Sequence, residues 1–140
     1  QRQMCIRDSH NPQALVCGYP VYDQTVPLAR LWGRELTNFW VHVNTRSKAL
    51  KDAMCGFRVY PIAQTLPVLP SVRTRRMDFD PDIAVRLLWA GVPVINRPVR
   101  VTYPKDGISH FRGFSDNMRI SRLHAGHFCT MLLRRMGLAK

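Results

Sequence analysis

The sequence has few acidic residues and no long hydrophobic run. Its apolar stretches, such as the segment 83–88 interrupted by Arg86, fall far short of the roughly 20 residues that a membrane-spanning helix needs. Nine acidic residues stand against 21 lysines and arginines, so the formal net charge of the 140-residue chain is +12. This excess favours anionic partners, namely nucleic acid, anionic lipid head groups or phosphorylated small molecules.

The sequence also lacks the cysteine pattern of a small secreted domain. Its four cysteines, at positions 5, 17, 55 and 129, include no C-x-x-C pair and form no dense disulfide framework. The first residues, QRQMCIRDS, contain no apolar signal-peptide segment and look like translated adapter sequence. We therefore expect a cytoplasmic protein in which residues 1–10 are a non-native leader and residues 11–140 form one domain.

Hydrophobic residues make up 46% of the chain, which is enough to build a core. Their spacing predicts strands alternating with helices, and hence an α/β layered fold with mostly parallel strands. Asp80 followed by Pro81 is typical of a helix start, and Gly91 of a helix end. The predicted elements are a strand at 14–18, a helix at 27–50, a strand at 55–61, a loop at 61–76, a helix from Asp80 to Gly91, extended segments at 92–95 and 99–103 separated by Pro98, and a final helix from Ser115.

Two of the predicted helices are amphipathic. Apolar residues recur at spacings of three and four in both, as expected of a helix with one apolar face. Such a face most often packs on the domain core, but the arginine-flanked final helix also suits the surface of an anionic membrane. The apolar faces are Leu28, Leu31, Trp32, Leu36, Phe39, Trp40 and Val43 in the first helix, and Phe114, Met118, Ala125, Phe128, Leu132 and Met136 in the last.

Four segments, taken together and in this order, resemble family-2 glycosyltransferases. The resemblance covers nearly everything from residue 11 to 137 and is closest to the non-processive branch that includes polyprenyl-phosphate sugar transferases. It implies a partial GT-A fold, which is Rossmann-like, and inverting transfer of a sugar from a nucleotide-sugar donor to a lipid-linked or hydroxyl acceptor. The segments are KDAMCGFRVYP at 51–61, MDFDPDIAVRLLWAG at 77–91, VPVINRPV at 92–99 and DGISHFR at 106–112.

The resemblance implies a divalent cation, Mg²⁺ or Mn²⁺, held by an Asp-x-Asp pair in the donor-binding half of the intact enzyme. That half is expected upstream of this chain, so the chain should be inactive alone. Asp78-Phe79-Asp80 matches the Asp-x-Asp pattern, but it lies where the family places its acceptor-side acid. We therefore assign no metal ligand within the chain.

Asp80 matches the acid that acts as catalytic base in relatives with hydroxyl acceptors. A carboxylate held at a helix start suits this role, although such an aspartate is commonly just a helix cap. With a lipid phosphate as acceptor no base is required, and Asp80 would then only position it. The resemblance also places Asp52, Gly56, Arg58 and Asp82 at the acceptor site, where Arg58 would grip phosphate; a turn glycine and a surface arginine are the alternative.

Ser109, His110 and Arg112 resemble the stretch that closes over the nucleotide diphosphate. Their hydroxyl, imidazole and guanidinium groups supply several donors to an anion, although polar residues also collect in loops without a function. His124, His127 and Cys129 include zinc-type ligands, but only three occur and structural zinc needs four. They are therefore expected to face neighbours or water.

The sequence leaves two other functions open. A basic nucleic-acid-binding module would explain the charge, but aromatic residues interleaved with basic ones along a strand are absent. An inactive interaction domain is the other alternative. A partial sheet leaves an exposed edge and apolar surface, and both favour a homodimer. A lipid acceptor would place the protein peripherally on the cytoplasmic face of the inner membrane.

Overall fold

A computed structural model describes residues 11–22, 26, 28–102 and 113–138 of the chain. These residues form three strands and four helices. Within them, no helix combines the length and the apolar character that crossing a bilayer requires. In chain order the elements are β1 (Leu15–Tyr22), α1 (Leu28–Thr45), β2 (Arg58–Val59), α2 (Ile62–Val68) followed by a turn of 3₁₀ helix (Leu69–Ser71), α3 (Phe79–Trp89), β3 (Val94–Val101) and α4 (Gly113–Arg135).

The sheet is small and mixed, with the strand order β2-β1-β3. The central strand β1 runs parallel to β3 along its whole length, from Leu15 opposite Val94 to Tyr22 opposite Val101. It pairs antiparallel with β2 at two positions only, where Val16 lies opposite Val59 and Cys17 opposite Arg58. The predicted α/β class is confirmed at this level, and a parallel pair dominates the sheet.

The core lies between the sheet and α3. The first half of β1 is completely buried, and α3 is buried on nearly all sides. Because α3 has neighbours all round, its apolar residues do not form the single stripe that an amphipathic surface helix shows. The buried core cluster consists of Leu15, Cys17, Val41, Leu50, Ala53, Ile83, Ala84, Val85, Leu87 and Val92.

The predicted end of α3 is confirmed, but its predicted start is wrong by two residues. Gly91 has a φ of 77°, and the amides of Gly91 and Val92 donate to the carbonyls of Leu88 and Leu87. This is the paired hydrogen bonding of a glycine-terminated helix. The residue that precedes the helix is Asp78, whose side chain makes no capping hydrogen bond, so Asp80 lies inside the first turn.

The structure also corrects two other predicted segments, the end of α1 and the loop at 61–76. Helix α1 ends at Thr45 rather than near residue 50, because Arg46 adopts a left-handed φ of 53°. The predicted loop at 61–76 contains α2, with Pro61 at its N-cap and Pro67 near its end. Proline is tolerated before the first turn of a helix, where no intrahelical amide bond is lost.

Two prolines lie inside strands that the sequence predicts to stop or break there. Strand β1 continues through Pro20, and β3 runs without interruption through Pro98. Proline removes an amide donor and is tolerated where a strand lacks a neighbour. Pro20 lies beyond the two residues of β1 that pair with β2, and β3 is an edge strand among those described. The predicted strand at 55–61 shortens to Arg58–Val59.

The apolar faces of α1 and α4 are largely exposed, so the expectation that the final helix packs its apolar face on the core is wrong. Trp32 is 78% exposed and Phe114 is 83% exposed, and most of the other stripe residues are also exposed. The inward faces carry buried polar side chains beside the apolar Val41 of α1 and Ile120 of α4. These buried polar residues are Thr37, Asn38 and Asn44 on α1, and Asp116, His124 and His127 on α4.

Candidate acceptor-side site

Asp52 organises the irregular segment between α1 and β2. Its buried carboxylate accepts hydrogen bonds from the amides of Met54 and Cys55, at 2.8 and 2.7 Å. On its other oxygen it forms an ion pair with Arg34 of α1, at 2.7 Å from Nη1. These bonds turn the chain at residues 52–55, so Asp52 holds the loop that presents Gly56.

Arg58 joins this loop to the first turn of α3. Its guanidinium is buried, and it donates to three carbonyl oxygens: Nε to Cys55 at 2.9 Å, Nη2 to Ala53 at 2.6 Å and Nη1 to Asp80 at 2.7 Å. Because its donors already bond to backbone carbonyls, this guanidinium has few donors left for a substrate phosphate. The geometry therefore makes Arg58 a support of the site rather than the phosphate ligand that the sequence suggests.

Asp80 is the accessible carboxylate of this cluster. Its side chain is 32% exposed, and Oδ1 lies 3.9 Å from Arg58 Nη1. A Cβ atom built on Gly56 would stand 3.8 Å from Asp80 Oδ2, so the glycine leaves the approach to that oxygen open. Partial burial raises the pKa of Asp80, an effect that the positive charge of Arg58 partly offsets. A carboxylate with a raised pKa is a better proton acceptor, as a general base requires.

Asp82 does not join this cluster. Residues two apart on a helix differ by about 200° in direction, so Asp82 points from the opposite side of α3. It is buried and accepts hydrogen bonds from Thr74, Arg86 and His127, at 2.9, 2.6 and 2.9 Å. Burial alone would raise the pKa of Asp82, but these hydrogen bonds lower it. Asp82 therefore joins α3 to α4 and lies away from the side of α3 on which Asp80 is exposed.

Three further residues near the cluster escape sequence reasoning. Arg34, which the helical pattern places on the surface, pairs with Asp52. Cys17 of β1 and Tyr60 lie within electrostatic range of both Arg58 and Asp80. Burial raises the pKa of Cys17 to about 11 and also raises that of Tyr60, so both groups stay protonated near neutral pH. These contacts join residues far apart in the chain, so no local sequence pattern predicts them.

Ser109, His110 and Arg112 lie outside the described residues. Whether they face Asp80 is therefore a prediction. Across the part of the chain that is described, no group of three or more histidine, cysteine, aspartate or glutamate side chains is placed to hold a metal ion. The divalent cation that the resemblance implies for the intact enzyme stays a prediction, since its ligands are expected outside this chain.

The comparisons with known proteins find no relative of this chain. No family model matches it, and no curated protein or solved structure matches it either. The resemblance to glycosyltransferases therefore rests on the four sequence segments. The structure adds one separate observation, the arrangement of Asp52, Gly56, Arg58 and Asp80.

Proposed function

We propose that this chain is the acceptor-side part of an inverting glycosyltransferase in which Asp80 is the general base. The observation that carries the proposal is the assembly of Asp52, Gly56 and Arg58 around the accessible carboxylate of Asp80. The sequence resemblance selects these same residues. The parallel β1–β3 pair, joined by a long connection that contains α1 and α3, suits a partial GT-A sheet.

In this proposal the hydroxyl of the acceptor attacks the anomeric carbon of the donor sugar. The bond from that carbon to the nucleotide diphosphate breaks, and its electron pair leaves with the diphosphate. The hydroxyl proton passes to Asp80. General base catalysis of this kind contributes about 10²- to 10⁴-fold to the rate. Ser109, His110 and Arg112 are proposed to bind the departing diphosphate.

The surroundings of Asp80 favour a hydroxyl acceptor over a phosphate acceptor. A phosphate would meet the negative charge of Asp80, while the nearby guanidinium of Arg58 is already bonded to three carbonyl oxygens. A hydroxyl instead donates a hydrogen bond to a carboxylate and needs a base to lose its proton. We therefore favour the hydroxyl of a lipid-linked or soluble acceptor.

The exposed apolar faces support a lipid-linked acceptor and peripheral contact with an anionic membrane. Trp40 connects the two faces, because its ring contacts Phe39 on α1 at 5.7 Å and Phe128 on α4 at 6.3 Å between centroids. Aromatic and aliphatic side chains beside basic ones suit the boundary between head groups and acyl chains. We call this patch the outer apolar surface; it comprises Trp32, Leu36, Phe39, Phe128 and Leu132.

Charge favours an anionic membrane over a second copy as the occupant of this surface. On a helical projection Arg122 and Arg135 flank the apolar stripe of α4, and both are exposed. A second copy, itself with a net charge of +12, would bring more positive charge to the same face. Anionic lipid contributes attraction instead, about 1 kcal/mol per basic residue near the surface.

The test compares Asp80→Asn with Asp78→Asn in the full-length product of the gene that encodes this chain. The assay mixes UDP- or GDP-sugars with Mg²⁺ or Mn²⁺ and either a polyprenyl phosphate or a lipid-linked hydroxyl acceptor. We expect Asp80→Asn to lower kcat at least about 100-fold with the hydroxyl acceptor and to remove the acidic limb of the pH profile. Asp78→Asn should retain most activity.

Two results would overturn the proposal. One is full activity of Asp80→Asn with a hydroxyl acceptor. The other is sustained turnover by residues 11–140 alone, because the donor-binding half is proposed to lie upstream. The sequence that precedes Asn11 in the gene is also expected to encode an Asp-x-Asp pair after a strand.

A further inference from the structure

A cavity of about 240 Å³ opens where the C-terminal ends of α1 and α4 meet the end of α3. Each helix contributes to its wall at its last turn or just beyond. The cavity lies on the side of α3 that faces α4. Its lining includes Asn44 and Arg46 at the end of α1, Trp89 of α3, and Arg134 and Arg135 of α4.

Three arginines give this cavity a positive charge. None of them forms an ion pair with a carboxylate among the described residues, and no acidic residue lines the cavity. Arginine at a helix C-terminus usually complements the helix dipole, which is worth about half a negative charge per helix end. Three helix ends offset about 1.5 charges. About half of the positive charge of Arg46, Arg134 and Arg135 therefore remains for a ligand.

Arg134 is held in place at the cavity wall. Its Nη2 donates to the carbonyl oxygen of Trp89 at 3.3 Å, and its guanidinium lies 5.2 Å from the centre of the Trp89 ring. The Trp89 ring nitrogen in turn donates to the carbonyl of Asn44 at 3.0 Å. These contacts hold one of the three charges in a defined position before any ligand arrives, as a binding site requires.

Arg46 occupies a backbone position that does not favour arginine. Its φ of 53° lies in the left-handed region, which costs free energy for any residue with a Cβ and which glycine adopts freely. Glycine is the usual residue just after a helix end for this reason. An arginine there suggests that its side chain has a use that outweighs the strain.

Asn44 fixes the wall of the cavity beside these arginines. Its side chain is fully buried, and its Nδ2 donates to the carbonyl of His124 at 3.4 Å. Its Oδ1 has no hydrogen-bond partner among the described residues. Asn44 therefore joins α1 to α4 at the wall of the cavity.

We propose that this cavity binds a phosphate monoester. A phosphate monoester carries close to two negative charges near neutral pH and several acceptor oxygens, which suit the guanidinium groups. The volume lies below the range of about 300–1,000 Å³ typical of drug-sized ligands. It therefore suits a small phosphorylated molecule or the phosphate head of a lipid.

The test measures binding of glycerol 3-phosphate to the 140-residue chain by calorimetry and by the Trp89 indole resonance in NMR spectra. We expect saturable binding that shifts this resonance. The matched pair is Arg135→Gln at the cavity and Arg119→Gln, an exposed arginine on the same helix but outside the cavity lining. Arg135→Gln should weaken binding at least about tenfold, and Arg119→Gln less than about twofold.

Arg46→Gly separates a binding role from a structural one. It relieves the left-handed backbone, so we expect a higher thermal midpoint together with binding at least about tenfold weaker. Equal loss of affinity in Arg119→Gln, Arg135→Gln and Arg46→Gly would show attraction by net charge alone and would overturn the proposal. Unchanged affinity in Arg135→Gln and Arg46→Gly would overturn it as well.

Vesicles distinguish a lipid phosphate from a soluble one. Phosphatidylcholine vesicles containing phosphatidic acid present a monoester, and vesicles containing phosphatidylglycerol present a diester. Arg122→Gln is the control here, because Arg122 also flanks the apolar stripe of α4 but lies outside the cavity lining. Preference for phosphatidic acid that is lost in Arg135→Gln but kept in Arg122→Gln would assign the site to a lipid head group. Binding of glycerol 3-phosphate without this preference would assign it to a soluble ligand. Absence of both would refute the site.

Discussion

The imidazole of His127 on α4 lies 2.9 Å from the carboxylate of Asp82 on α3, and both side chains are almost completely buried. Arg86 and Thr74 bond to the same carboxylate. This hydrogen-bonded group is the principal polar contact between α3 and α4. It explains how α4 packs on the domain through its polar face while its apolar face stays outside.

Asp82→Asn should destabilise the protein strongly. The substitution removes a buried negative charge that faces Arg86 and His127, and breaking a buried pair leaves the partners uncompensated. We expect the free energy of unfolding in urea to fall by roughly 3 kcal/mol. Asp80→Asn is the control. Because burial raises the pKa of Asp80, removing its charge should leave stability unchanged or slightly higher. Equal midpoints for the two variants would contradict this account.

His124 should make the folded state sensitive to mild acid. Its buried ring stacks on Trp40, and burial together with the nearby His127 lowers the pKa of His124 from 6.5 to about 4. Between these values the unfolded chain binds a proton that the folded chain does not, so stability falls as the pH drops from 6.5 to 4. The loss should approach about 3 kcal/mol.

His124→Phe tests this origin of the pH dependence. The phenyl ring keeps the stacking position, and it removes two ring nitrogens that lack hydrogen-bond partners among the described residues. Thermal unfolding followed from pH 7 to pH 4 should show a smaller decline for the variant than for the wild type. Parallel declines would show that another group dominates.

Arg58→Lys should loosen the segment around Cys55. A lysine cannot reproduce the three diverging bonds from the guanidinium to the carbonyls of Ala53, Cys55 and Asp80. We expect a loss of roughly 2–4 kcal/mol of stability, because buried carbonyls lose their donors. The Cys55 thiol should also react faster with a disulfide reagent under native conditions. A rate unchanged from the wild type would show that Arg58 does not hold this loop.

Gly18→Ala should disturb the contact between β1 and its neighbours. A Cβ at this position would stand 2.9 Å from Val99 Cγ2 and 3.1 Å from both Cys55 Sγ and the Phe57 carbonyl oxygen. Such overpacking costs about 1–3 kcal/mol. Gly33→Ala, on α1 with no atom within 4 Å of the new methyl group, should instead stabilise the helix by up to about 1 kcal/mol. Chemical denaturation of the two variants gives the comparison.

Trp32→Ser combined with Phe39→Ser should abolish membrane binding without unfolding the protein. Both side chains are more than half exposed, so their loss removes little buried area. We expect the wild type to cosediment with phosphatidylglycerol vesicles and the double variant to stay in solution, with equal thermal midpoints. If instead the wild type ignores vesicles but forms a dimer that the substitutions dissociate, a second copy covers this surface.

Local sequence patterns predict much of the secondary structure. Pro81 and Gly91 bracket α3 almost correctly, because a fixed φ and a left-handed glycine act within a few residues. The same patterns fail at Pro20 and Pro98. Whether a proline interrupts a strand depends on which edges of the sheet have neighbours, and sequence spacing does not contain that information. The error in the start of α3 has a similar origin. Asp78 and Asp80 are both suitable residues for a helix start, and the local pattern does not show which of them precedes the helix.

The candidate site shows the same division. The order and spacing of motifs single out Asp52, Gly56 and Arg58, and the structure brings them together with Asp80. Asp82 is not part of this cluster, because side chains two residues apart on a helix point to nearly opposite faces. Nor does the sequence reveal that Arg58 spends its donors on carbonyl oxygens or that Arg34 pairs with Asp52. These are long-range contacts whose partners only folding selects.

The amino-acid sequence by itself determines that α1 and α4 are amphipathic helices and that β1 is a buried strand, because periodicity is a property of neighbouring residues. Tertiary structure decides which face of each amphipathic helix turns inward. His127 of α4 forms a hydrogen bond with Asp82 of α3, which an apolar side chain of α4 could not form. Asn44 of α1 donates a hydrogen bond to the carbonyl of His124 on α4. Burying these polar groups together satisfies their hydrogen bonds in part and leaves Trp32 and Phe128 at the surface.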